Sequence, residues 1–409
     1  MKRPELLSPA GNFEKMRAAI RYGADAVYLS GKIFGMRAAA DNFSPDELKE
    51  AVEYAHARGV KVYLTVNTMP REYEYERLKE YFELLKNIDI DALIIADIGV
   101  MMLAREMLPK VDIHVSTQAN SVSSHDCIAW HRLGARRVVL ARELTLEEIK
   151  AIRAAIPEEI ELECFVHGSM CISYSGRCLL SGHIVDRDAN RGACAQPCRW
   201  NYSIRGYEIA EEKRPEAPMP IEEINGETFI MASRDTCTIE HIPELVEAGI
   251  DSFKIEGRMK SAYYTAVVTN TYKMALDSYF SGEYEYDPAW YRELESVSHR
   301  DYATGYYFSD SHVDANISKT AGYIRDKAYL ATVLSYDAER RVAELSQRNK
   351  MTVGEEIELL SPGSVGVPLV AGELFDESGE PISASSHPYM KFYMKTDIPM
   401  REGDIIRAR

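Results

Sequence analysis

At 409 residues, 46% of them hydrophobic, the chain can bury enough core for one large domain and a small one. The amino-terminal segment Met1-Lys-Arg-Pro-Glu has no apolar run of signal-peptide length, and no later segment reaches the roughly 18 apolar residues of a membrane span, so a cytoplasmic protein is expected. Acids outnumber bases by 64 to 48, and the resulting net charge of −16 argues against broad binding to polyanions, so any nucleic-acid contact has to be local.

In chain order, eight short apolar segments read as strands: Glu5–Pro9, Ala26–Ser30, Lys61–Asn67, Ala92–Asp97, Asp112–Ser116, Arg137–Arg142, Glu161–His167 and Asp251–Glu256. Most are rich in Val, Ile or Leu, as strands buried on both faces should be, and each is followed by a helical pattern. Asn12 can cap a helix that presents Phe13, Met16 and Ile20. Ser44-Pro45-Asp46-Glu47 is a capping box with proline in the first turn, Gly59 ends that helix, and Thr145 with Glu148 makes a second box. Eight strand-helix units predict an α/β fold, a (β/α)₈ TIM-like barrel over residues 1–285.

Roughly 80 residues separate the seventh strand from the eighth, far more than a βα connection needs. The excess is a Cys-rich insertion at 168–237, leaving the carboxyl end of a strand, where active sites of such barrels are built. After a helix over Ser261–Phe280 comes an aromatic connector at 286–320. The pattern then changes to strands without helices: Tyr329–Tyr336, Arg341–Gln347, Glu355–Leu360, Lys391–Lys395 and Asp404–Ala408. These predict a small antiparallel β-barrel of five or six strands at 321–409.

Five of the seven cysteines fall between positions 164 and 198, four of them as Cys171-x₆-Cys178-x₁₅-Cys194-x₃-Cys198. In a reducing compartment such clustering reads as metal or redox chemistry rather than disulfides. A zinc ribbon would show paired Cys-x₂-Cys knuckles, and none is present. A [4Fe-4S] cluster tolerates irregular spacing, so it is preferred over zinc, with a stabilising metal clip as the plainer alternative. Cys237 is the substitute if one of the four fails, whereas Cys127 and Cys164 read as core. Arg177, Arg187, Arg191 and Arg199 crowd the same loop and suit an anionic partner.

The run from Glu163 to Ser181, Glu-Cys-Phe-Val-His-Gly-Ser-Met-Cys-Ile-Ser-Tyr-Ser-Gly-Arg-Cys-Leu-Leu-Ser, resembles the signature of the collagenase-like peptidase family of unassigned catalytic type. The segments Glu5–Asn12, Gly23–Tyr28 and Lys254–Arg258 are similar to that family as well, so the resemblance spans the barrel. Within the family it points to a branch whose activity is prephenate-dependent hydroxylation of the tRNA wobble uridine to 5-hydroxyuridine. The resemblance implies an iron-sulfur cluster on Cys171, Cys178, Cys194 and Cys198, with the fourth ligand the least secure, and a possible homologous partner subunit. Proteolysis, the activity in the family's name, lacks visible machinery: there is no Gly-x-Ser-x-Gly elbow and no His-Glu-x-x-His helix, and only His167 near Cys171 could form a dyad.

Polar residues at strand ends share one pocket in a barrel. His167, Glu143 and Gln118 are candidate catalytic groups, and Arg142, Arg258, Arg37 and Asn67 candidate binders of a small carboxylate such as prephenate; Asp97 and Glu256 share the position. Each also has a structural reading, as a loop cap or a salt-bridge partner. For tRNA, Arg187, Arg191, Arg199 and Arg205 of the insertion, with Lys391, Lys395, Arg401, Arg407 and Arg409 of the tail, supply positive charge, and Phe392 and Tyr393 could stack on bases. Insertion and tail are expected to clamp the anticodon arm between them. A scaffold that binds RNA and carries a cluster without its own catalysis is a third reading.

Overall fold

The computed structural model describes residues 2–36, 40–200, 202–205, 208–211, 214–220, 233–309, 324 and 327–409. Glu5–Pro9, Ala26–Ser30, Lys61–Val66, Ala92–Ile95, Asp112–Val115, Arg137–Val139, Glu161–Ser169 and Ser252–Ile255 pair in parallel in that order, and the eighth strand pairs with both the first and the seventh. The ring is closed. Helices cover it because each strand carries apolar side chains outward into a continuous core of Leu, Ile, Val and aromatic residues. Local chemistry sets their starts: Ser44 and Thr145 form complete capping boxes, and Asn12 accepts from the Lys15 N–H at 2.9 Å. Asp97 does the same for the helix Ile98–Met107, so its carboxylate is a cap rather than a pocket group.

The inward-facing side chains near the amino ends of the strands are charged, which alternation alone did not disclose. Arg137 bonds Glu5 at 2.6 Å, Glu161 at 2.7 Å and Glu163 at 3.0 Å, and Lys254 bonds Glu163 at 2.6 Å. Burial alone would raise the Glu163 carboxyl, but the two cations outweigh it and hold it below the usual carboxylate range. Leu7, Ala26, Tyr28, Tyr63, Ala92 and Ile94 pack beside this network as a small inner core.

The seventh strand carries an irregularity with consequences for the site. Lys254 lies opposite Phe165 and Ile255 opposite His167, so Val166 is an extra residue, a bulge that turns the His167 side chain to the other face. Its last residues, His167–Ser169, pair antiparallel with Asp235–Cys237, which brings the far end of the insertion back beside its start. Arg300 grips Asp235 through two nitrogens, at 2.9 and 2.6 Å, with both side chains buried.

The helix Ala262–Ser281 is buried on nearly all sides, and a further helix, Pro288–Glu295, occupies part of the stretch expected to be an irregular connector. No helix among the described residues is long and apolar enough to cross a membrane. The tail is a separate antiparallel half-barrel with its own core. Its sheet contains the five expected strands and three short ones, Val367–Val370, Leu374–Phe375 and Pro381–Ile382. Arg407 was expected to face RNA. It is instead buried and bonds Glu293 of the barrel and Glu358 of the tail, locking the two together. Phe392 is likewise fully buried in the tail core and unavailable for stacking, because Leu345, opposite it across the sheet, faces the same interior.

Candidate active site at the barrel mouth

One cavity opens at the carboxyl ends of the strands and is roofed by the insertion. Strand ends supply Tyr28, Thr65, Asn67, Gln118, Arg142, Phe165, Lys254, Glu256 and Arg258, and the insertion supplies Cys171, Cys178, Cys194 and Cys198. The four cysteines are half-buried, without disulfides, while Cys127, Cys164 and Cys237 are buried elsewhere. Cys237 sits in the core beneath the insertion, where burial pushes its thiol up to about 12, an environment for a neutral thiol rather than a ligand. The proposed exchange of Cys198 for Cys237 therefore has no geometric support. As placed, no three His, Cys, Asp or Glu side chains among the described residues stand close enough to close on one ion. The donor set itself suits iron: four thiols on one wall, with the Gln196 N–H donating to Cys194 Sγ at 3.3 Å.

The polar groups below the cysteines form two braced sets. Asn67 Nδ2 donates to Gln118 Oε1 at 3.2 Å and to Ser116 Oγ at 3.3 Å, its Oδ1 accepts from the Met36 N–H at 3.0 Å, and Ser116 also donates to Gln118. Arg258 is buried and donates to Thr65 Oγ1 at 3.1 Å and to the Met36 carbonyl. Arg142 reaches across to the insertion, donating to the Ser169 carbonyl at 3.1 Å and to Ser175 Oγ, while its buried Nε bonds no atom of the described residues. Two guanidinium forks from different strands thus border the cavity that holds the four thiols.

Two expected catalytic groups lie off the cavity. His167 was expected to face it, but the bulge at Val166 turns the ring outward against the helices, among Tyr264, Tyr272 and Tyr302. Burial there pushes its imidazole down to about 3, with Asp235 offsetting part of the effect. Glu143 follows Arg142 and is not among the residues that line the cavity. Burial raises its carboxyl above the usual range, and Arg142 partly counters this. Arg37 and the side chains of Arg199 and Arg205 lie outside the described residues. Arg187 is exposed and donates to the Ala193 carbonyl, and Arg191 is tied to Glu74 at 2.6 Å. Lys391 and Lys395 pair with Glu344 at 3.5 Å and Glu373 at 2.5 Å.

Residues 11–317 match peptidase family U32, and residues 325–407 match the C-terminal domain of that family. The chain belongs to peptidase family U32. Among its relatives, tRNA hydroxylation protein P1 of Bacillus subtilis is 35% identical over 99% of this chain and 95% of that protein. tRNA hydroxylation protein P of Escherichia coli is 36% identical over 88% of this chain and 87% of that protein. A protein named collagenase from Porphyromonas gingivalis is 32% identical over 88% of this chain and 86% of its own length.

In this U32 chain, reasoning from strand ends overlooked Lys254. Its ammonium lies 4.7 Å from the centre of the Tyr28 ring, is held by Glu163 from below, and borders the cavity although it is nearly buried. The available signal was a lysine inside an apolar strand that closes a barrel, since a buried cation needs a partner and a reason.

Proposed function

We propose that the protein hydroxylates the wobble uridine of tRNA to 5-hydroxyuridine, using prephenate as co-substrate and a [4Fe-4S] cluster held by Cys171, Cys178, Cys194 and Cys198. The observation that carries this is that all four thiols share one cavity with Arg142 and Arg258. When bound, the cluster supplies one-electron chemistry. The two arginines present planar donor forks of the shape that a carboxylate pair accepts, and Asn67 and Gln118 brace each other where they can bond a base edge or a carboxylate. A wobble base belongs to a single-stranded loop, so swinging it into a barrel mouth costs little. The two relatives named for tRNA hydroxylation, alike over most of their length, support the same reading.

The collagenase relative favours a peptidase instead. A cysteine peptidase needs an imidazole beside its thiol, and His167, the candidate base, is enclosed by tyrosines and borders none of the cavity that Cys171 lines. The test is nucleoside mass spectrometry of tRNA from a strain lacking the protein, complemented by the natural chain or by Cys171→Ala and Cys178→Ala. Loss of 5-hydroxyuridine in the deletion and in both variants, with loss of the brown absorbance near about 400 nm, is expected. Unchanged 5-hydroxyuridine in the deletion strain would overturn the function. Unchanged iron and sulfide in both variants would overturn the ligand assignment. Hydroxylation that survives both substitutions would show that the reaction does not need these thiols.

A further inference from the structure

We infer that the cleft between barrel and tail is a binding site for the phosphate backbone of RNA, an assignment that rests on the tRNA reading above and locates where the stem is held. The cleft is lined by Arg17, Arg21, Arg58, Lys273, Arg348 and Arg401, against three acids, Glu14, Asp25 and Glu402. In a chain of net charge −16 such a concentration of cations is the local basic patch that RNA binding demands. Three of the cations serve the fold, since Arg21 pairs with Asp404, Lys273 with Asp277 and Arg348 with Glu14.

Arg17, Arg58 and Arg401 do not. Each is exposed and has no carboxylate within ion-pair distance among the described residues. Two of them are positioned: the guanidiniums of Arg17 and Arg58 lie 5.4 and 3.6 Å from the centre of the Tyr54 ring, and Arg58 Nη1 also donates to the Tyr54 carbonyl at 3.0 Å. Beside the cleft, Tyr389 is 71% exposed in a left-handed conformation, φ 62°, with Arg348 stacked 4.7 Å from its ring. A large exposed aromatic held in a disfavoured backbone state next to a guanidinium is a stacking platform for an unpaired base. The tail thus contacts RNA at its seam with the barrel, where Arg401 and Arg17 line the same cleft, and not through Lys391 and Lys395, which are already paired.

The experiment measures tRNA affinity against salt for the full protein and for Arg17→Gln/Arg58→Gln/Arg401→Gln. Thermal unfolding serves as the control, since all three side chains are exposed. Each lost phosphate contact lowers the slope of log affinity against log salt by about 0.9 on a stem, so the triple variant should lose up to about 2.7 and bind at least about tenfold more weakly at 0.1 M salt. Tyr389→Ala should weaken binding without changing the slope. An unaltered Kd and slope in a folded triple variant would overturn the cleft assignment while leaving the hydroxylation reading intact. Loss of inorganic phosphate binding with tRNA affinity unchanged would reassign the cleft to a small phosphorylated ligand and overturn the RNA assignment. Failure of the natural protein to bind tRNA at any salt would overturn the reading on which the inference rests.

Discussion

The imidazole of His167 is neutral in the folded protein, and that has a definite sign for stability. An unfolded histidine titrates near 6.5, whereas this one is held down to about 3 by burial among tyrosines. As pH falls below 6.5 the unfolded chain takes up a proton that the folded chain refuses, so stability present at pH 7 is lost progressively toward pH 3. His114, buried edge-on against Tyr63, is shifted in the same direction. The expected cost is about 2 kcal/mol at pH 5 for His167 alone. Comparing urea midpoints of the natural protein and His167→Phe at pH 7 and pH 5 measures it; equal pH dependence in the two would show that the ring is solvated. Lys254 makes the complementary prediction at the cavity floor. Lys254→Met keeps the stem and removes the ammonium, so prephenate affinity by calorimetry should fall about tenfold or more, as for a lost hydrogen bond to a charged group. Arg142→Lys and Arg258→Lys should also weaken binding, because lysine keeps the charge but not the fork. Unchanged affinity in all three would mean that the carboxylates bind elsewhere.

At the scale of elements, the strand-seven bulge decides which residues form the site. Gly168 follows it at φ 112°, and a Cβ there would lie 2.4 Å from the Glu256 carbonyl oxygen, so Gly168→Ala should destabilise by at least about 1 kcal/mol and lower the melting temperature. The same bulge marks the limit of what the sequence discloses. The eight strands were legible because each is a short apolar run bounded by turn residues, and the caps at Asn12, Ser44 and Thr145 because they act within one turn. The clustering of Cys171, Cys178, Cys194 and Cys198 at the mouth followed from their place after a strand, as did Arg142 and Arg258. His167 could not be placed. Its facing depends on one extra residue relative to a partner strand almost 90 positions away, and alternation by itself puts it inside. The charged interior was equally hidden, since Arg137, Glu163 and Lys254 offset one another only after the ring closes. Helix Pro288–Glu295 and the two-residue tail strands Leu374–Phe375 and Pro381–Ile382 are too short for periodicity to disclose them.

On the scale of the whole molecule, Arg407 couples the two domains. It bonds Glu293 at 2.7 Å and Glu358 at 2.7 Å within a buried set that includes Tyr263 and Ser296. Arg407→Ala would leave Glu293 buried without its cation and Glu358 with Lys327 alone, a loss of about 3–5 kcal/mol, and should make the tail easier to cleave from the barrel in limited proteolysis. If cleavage and thermal midpoint match the natural protein, the seam is held by its other contacts, such as the Tyr22 hydroxyl on the Leu360 carbonyl at 2.9 Å and Arg21 on Asp404. The insertion meets the barrel in the opposite manner. It leaves along His167–Ser169 and returns along Asp235–Cys237, paired residue for residue, so entry and exit share a neck two strands wide. Because closing a loop costs only about 0.6 kcal/mol more for each doubling of its length, the ring is nearly indifferent to how long the segment between them is. The cysteine-bearing insertion can thus be lengthened or trimmed beyond this neck at little entropic cost to the scaffold beneath it.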